Sequence, residues 1–229
     1  MTDLLKKIQS RGHWRVTIRP TVFKKDRITE IGNLFPLVER CSVSVRGWDF
    51  PHIDRRNQPH IDLDWVGQEV EWEHHLELWR VYQSGQFVHV GGMWNDWRDR
   101  SGLWPAEHGW KAGAALHVLD TTWRFIEIFE FAARLSQTDC GEDRMVIAVT
   151  VSGLHGRMLL LDSPRRAPLL GEYKAQIEAL PYEVEVSRAD LIAAPREHAL
   201  EPTKRLFERF GWTVGPEMLR SLQAELDRR

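Results

Sequence analysis

The 229-residue chain has only two cysteines, Cys41 and Cys140, far apart and outside any Cys-x-x-Cys cluster. That excludes a disulfide scaffold and a thiolate zinc site, and a cytoplasmic protein with two reduced thiols is the expectation. No stretch approaches the uninterrupted apolar length that crosses a bilayer, and the opening MTDLLKKIQSRGHW has no apolar core, so no membrane partner is expected. Nor does one sign of charge dominate: 31 Lys and Arg face 33 Asp and Glu. Bulk polyelectrolyte attraction to nucleic acid is therefore not implied. Gly-x-Gly-x-x-Gly, P-loop and Gly-x-Ser-x-Gly motifs are all missing, which removes the familiar nucleotide and nucleophile signatures.

Tryptophan is abundant instead, with 11 residues against 3 tyrosines. Trp65, Trp72 and Trp79 share one segment; Trp94, Trp97, Trp104 and Trp110 share the next. Indole can stack on a ligand or fill a core, and composition alone leaves both open.

Along the chain, Trp14, Val16 and Ile18 alternate with polar neighbours from His13 to Arg19, as in a half-buried strand ending at Pro20. Asp26 reads as the cap of a helix from Arg27 to about Phe35, interrupted near Pro36. Cys41, Val43 and Val45 alternate into a second strand. Beyond it, Val66 to Leu78 alternates with Glu69, Glu71, Glu73 and Glu77, giving one strongly acidic face. Ser84-Gly85 sits between two further strand patterns as a hairpin turn, and Gly91 to Gly113 reads as a long packed loop.

The helix Thr121 to Gln137 is apolar round most of its circumference, so it should lie across a sheet and beneath another element. Strands at Met145–Val151 and Arg157–Leu161, around a Gly153–Gly156 turn, precede a last strand at Tyr182–Val186. Helices then end at Gly211 and restart at Pro216. The fold class is α+β: a mixed, mostly antiparallel sheet with a long helix packed across it. Residues 13–187 form the core domain, and 188–229 a helical C-terminal extension packed on it.

Chemistry concentrates in SVSVRGWDFPHIDRRNQPHIDLD, where Pro-His-Ile-Asp occurs twice. His52, Asp54, His60 and Asp62 are the ligand types of a divalent metal site, which would make the protein a metal-dependent hydrolase or nuclease. Their spacing matches no established metal motif, and Asp and His also serve as turn caps, so the other reading is a protein without a cofactor. A basic N-terminal edge of Lys6, Lys7, Arg11, Arg15, Arg19, Lys24, Lys25 and Arg27 offers a local route to nucleic acid, or simply a solvated face.

RGWDFPHID, WRVYQSGQFVHV, EIFEFAARL, GLHGR with DSPRRAP, PYEVEVSRADLIAAPRE and LFERFGW resemble a region of uncharacterised bacterial proteins. That region accompanies Schlafen-type AlbA domains, ATP- or nucleic-acid-binding modules. The likeness runs from about His13 to the C-terminus but does not include the AlbA-type domain itself. It implies a module beside nucleic-acid-handling partners and supplies no catalytic residues. The expected function is a non-enzymatic sensor or adaptor in a bacterial defence or regulatory system, recognising a partner protein, nucleic acid or small ligand. Its binding surface is expected at Arg46, Trp48, Asp49, His52, Trp79, Tyr82, His89, Trp94 and Trp97.

Overall fold

Trp14, Val16 and Ile18 become the core side of a central strand, β1 (His13–Pro20), in the computed structural model, which describes residues 2–98, 111–163 and 165–228. Around it stand β2 (His60–Ile61), β3 (Trp65–Trp72), β4 (His75–Tyr82), β5 (Phe87–Gly92), β7 (Arg144–Ser152) and β9 (Ala179–Ser187). Their order is β2-β3-β4-β5-β1-β7-β9, with every neighbouring pair antiparallel. A separate parallel pair joins β6 (Ala115–His117) to β8 (Met158–Leu160).

The helices are α1 (Asp3–Gln9), α2 (Leu34–Cys41), α3 (Val118–Ser136), α4 (Arg188–Ala193), α5 (Pro195–His198), α6 (Leu200–Glu208) and α7 (Pro216–Gln223). The apolar circumference of α3 is buried on two sides, as its sequence demands. Phe125 meets Trp14 edge-on at 5.2 Å and Phe131 meets Phe87 at 4.6 Å on the sheet side. Leu191, Leu206, Phe207, Leu219 and Leu222 of the C-terminal helices belong to the same core. Each such side chain contributes about 1.5–3 kcal/mol by leaving water. On the opposite face of the sheet, Leu4 and Ile8 of α1 pack on Leu76, Leu78 and Val90.

The α+β architecture and its helical C-terminal part are as expected, and the hairpin at Ser84-Gly85 forms, with Gly85 at φ 85°. Five local expectations are corrected. The early helix begins at Leu34 after a 3₁₀ turn at Ile31–Asn33 and runs through Pro36 to Cys41. Pro36 falls in the first turn, where no intrahelical N–H is needed, so it does not interrupt.

The second strand does not form, because α2 occupies Cys41 and only Val43 bridges Phe50, with N–H···O contacts of 2.9 and 2.8 Å. Its alternation was a pattern of burial without a ladder. The acidic strand is a hairpin: Trp72 pairs with His75 across the two-residue turn Glu73-His74. An even-numbered residue of β3 therefore shares a face with an odd-numbered residue of β4. Glu77 goes to the core side while Glu69 and Glu71 stay exposed. Strand β8 does not pair with β7 but adds to β6. Of the long loop, Gly91 and Gly92 belong to β5 and Trp94–Trp97 form a 3₁₀ turn; Trp104 and Trp110 lie outside the described residues.

Candidate functional site

A cleft of about 330 Å³ opens where the β3–β4 turn, the turn after α2 and the start of α3 meet. Its walls include Trp48, Trp72, His74, His75, Trp94 and Trp123. The hairpin turn is tight enough to force Glu73 to φ 51°. A non-glycine residue there costs about 1–2 kcal/mol, and the strained turn carries Glu73 and His74 to the mouth of the cleft. Trp48 and Trp72 lie nearly parallel, 5.4 Å apart and 13° inclined, with Trp72 50 % exposed.

Behind these rings is a buried ionic floor. Arg46 Nε and Nη2 donate to the two oxygens of Glu127 at 2.7 and 3.0 Å, while Nη1 donates to the Asp120 carboxylate. Arg124 approaches Glu127 at 3.1 Å. Burial alone would lower the pKa of Arg46, but Glu127 and Asp120 outweigh it and raise it. Burial would likewise raise Asp120, yet Arg46 and Arg124 hold it below the ordinary carboxylate value. Asp162, beyond β8, accepts the N–H groups of Leu119 at 2.6 Å and Asp120 at 3.2 Å, capping α3 from a distant part of the chain. Burial pushes its carboxyl up to about 6, against the Leu119 N–H that favours the anion.

A second buried cluster adjoins the cleft. Glu77 Oε2 lies 3.0 Å from His75 Nε2 and 3.3 Å from His89 Nε2, and Oε1 accepts the His52 backbone N–H. Burial would raise Glu77, but the two imidazoles prevail and hold it well below the usual carboxylate range. Burial also depresses His89 and His52, despite Glu77 pulling them upward. His75 Nε2 is in addition 2.7 Å from the Trp48 indole N–H. The same ring nitrogen therefore faces both the indole and Glu77, so His75 joins a wall of the cleft to the buried carboxylate.

Of the residues expected to bind, the cleft brings together Arg46, Trp48 and Trp94. His52 stacks on Trp48 at 4.2 Å, and Asp49 is half-buried in the same turn. Trp79 and His89 are sealed in the interior at 0 and 1 % exposure and offer a ligand no open face. Trp79 alternates inward with Val81, and its indole N–H is spent on the His52 carbonyl at 2.9 Å. Tyr82 pairs with Trp65, seven positions along the hairpin from the cleft, roughly 23 Å at strand rise. Trp97 packs outside the cleft near α1, with Arg11 over its ring at 4.3 Å.

Sequence reasoning missed Trp72, His74, His75, Asp120, Trp123, Arg124, Glu127 and Asp162 as wall residues. The tryptophan cluster that includes Trp72 and the polar pair Arg124 and Glu127 on an otherwise apolar helix were the available signals.

His52, Asp54, His60 and Asp62 do not meet. Asp54, His60 and Asp62 line another cleft of about 530 Å³, without His52. There Asp54 accepts from Arg56 N–H at 2.9 Å and Asn57 at 2.6 Å, and Asp62 caps Leu63 N–H at 2.8 Å, the turn-shaping role. Among the described residues no group of three or more His, Cys, Asp or Glu is placed to hold a metal ion. Four of the eight residues of the basic edge are paired with carboxylates: Lys6 with Asp3, Lys7 with Glu71, and Lys24 and Arg27 with Glu142. No helix among the described residues is long and apolar enough to cross a membrane. No protein-family model, curated protein or solved structure matches this chain, so the site stands on its own geometry.

Proposed function

We propose that the protein is a non-enzymatic recognition module that binds a small organic ligand in the tryptophan-walled cleft. The observation that carries this reading is the pairing of the half-exposed Trp72 ring, backed by Trp48, with an ionic floor whose charges already satisfy one another. Trp72, stacked on Trp48, presents its outer face to a flat or rounded ligand, and the volume falls at the lower end of small-molecule pockets, roughly 300–1,000 Å³. Arg46, Asp120 and Glu127 hold each other in place, which suits a rigid receptor wall better than a group that must move a proton or attack a bond. A small ligand is favoured over nucleic acid because more carboxylates than guanidiniums line the cleft. The resemblance to regions beside AlbA-type domains fits a sensing half in a bacterial regulatory or defence system, and two buried free thiols fit a cytoplasmic setting.

The test is a thermal-shift and tryptophan-fluorescence screen of a fragment library against the full chain and Trp72→Ala. Trp72 is half exposed, so its loss should leave the fold intact. Compounds that raise Tm in the parent and not in the variant support the reading. A library without such compounds, or shifts indifferent to Trp72, refutes it.

A further inference from the structure

Resting on that cleft as a ligand site, the geometry points to an organic cation, a quaternary ammonium or a guanidinium, as the class of ligand it takes. Anions find little there. All three nitrogens of Arg46 are bonded to Glu127 or Asp120, and Arg124 is engaged by Glu127 with its guanidinium over the Phe50 ring at 5.4 Å. Arg46 keeps no open fork for a carboxylate or phosphate, and Arg124 is held at Nη1 by Glu127.

Cations find both things they need. Glu73, Asp120, Glu127 and Asp162 line the cleft against Arg46 and Arg124, with Arg98 over Trp94 as a third guanidinium, so one negative charge is in excess. Oδ2 of Asp120 has no hydrogen-bond partner among the described residues, and Glu73 is 66 % exposed at the mouth. Burial, followed by the nearby Arg98, lowers the His74 pKa, so the ring on the hairpin tip is uncharged at neutral pH and adds no repulsion.

The indoles supply the rest. Trp48 spends its N–H on His75 and its ring on His52 and Trp72, so it backs Trp72, whose half-exposed ring offers the open π-face. A cation over such a face gains from the ring quadrupole, most when water is partly excluded. The chain already shows that the wall accepts this chemistry: the Arg98 guanidinium sits 4.5 Å from the Trp94 ring centroid.

The experiment titrates the full chain, at fixed ionic strength, with choline chloride and with agmatine, following tryptophan fluorescence and heat. The controls are 3,3-dimethyl-1-butanol, which replaces the ammonium nitrogen of choline by carbon, and sodium phosphate. At least one cation is expected to saturate, roughly tenfold or more tighter than the neutral isostere. Glu73→Gln should weaken it several-fold and Trp72→Ala should abolish it, with the far-UV spectrum of each variant unchanged. Equal binding of choline and its isostere, or preferential binding of phosphate, overturns the cation assignment and leaves a ligand cleft of another class. Silence from both cations overturns the assignment too; if the fragment screen is also silent, the ligand-site reading falls with it.

Discussion

Replacing Glu127 by leucine should be among the most damaging single changes available in α3. Its carboxylate is 1 % exposed, and Arg46, 11 % exposed, makes a two-pronged bond to it while Arg124 shares one oxygen. Removing it leaves Arg46 with Asp120 alone and Arg124 without its carboxylate, both largely out of water. Breaking one side of a buried pair in this way costs about 3–5 kcal/mol, because a desolvated charge loses its compensation. For a chain of this length that is roughly 6–20 °C in Tm.

Arg46→Met should cost a similar amount. The double variant should lose clearly less than the sum, since Asp120 and Arg124 remain as a balanced pair, and the coupling should exceed about 2 kcal/mol. Urea unfolding followed by far-UV circular dichroism and by tryptophan fluorescence measures all four corners of the cycle, and coincident transitions license the free energies. Single losses under about 1 kcal/mol, or additive ones, would show that the floor behaves as a solvent-screened surface pair and would remove the rigid wall from the argument.

Burial drives the pKa of His117 down to about 4 from an ordinary 6.5, so the unfolded chain takes up its proton first as pH falls. About 2 kcal/mol of stability should be lost from this residue between pH 7 and pH 5, and His117→Asn should flatten that slope in urea titrations at the two pH values. Asp162, raised to about 6, acts with the opposite sign in the same window, so the comparison of parent and variant carries the test; an unchanged slope would refute it. Burial also pushes the Cys41 thiol up to about 11 and Cys140 up to about 12. Neither should react with Ellman's reagent at pH 8 in the native state, and both should react in urea; rapid native labelling would contradict their burial. Gly85→Ala should cost at least about 1–2 kcal/mol in urea unfolding, because φ is 85° and a Cβ would stand 2.7 Å from the Cys140 carbonyl oxygen. A variant as stable as the parent would show that this turn is not as tight as described.

Much of the architecture was legible residue by residue. Trp14, Val16 and Ile18 could bury only as a strand does, and Phe125 to Leu135 could bury only as a helix covered on two sides, because side-chain period and apolar width belong to the local chain. The same local logic misled at Cys41–Val45, where alternate burial came from a helix end and a single bridge. It misled again at Glu77, where one two-residue turn moved a carboxylate from solvent to core.

The ligand types in the doubled Pro-His-Ile-Asp were visible, but their convergence was not. His52 folds against Trp48 while Asp54 and Asp62 cap their own loops. The cleft draws Arg46, Trp72, Trp94, Glu127 and Asp162 from five stretches of chain. Sequence alone determined which segments bury an apolar side and how they repeat, since that depends on neighbours a few residues apart. Only the tertiary structure decided which charges meet and which indoles stay open, since those follow from the packing of segments tens of residues apart, whose contacts leave no periodic trace in the chain.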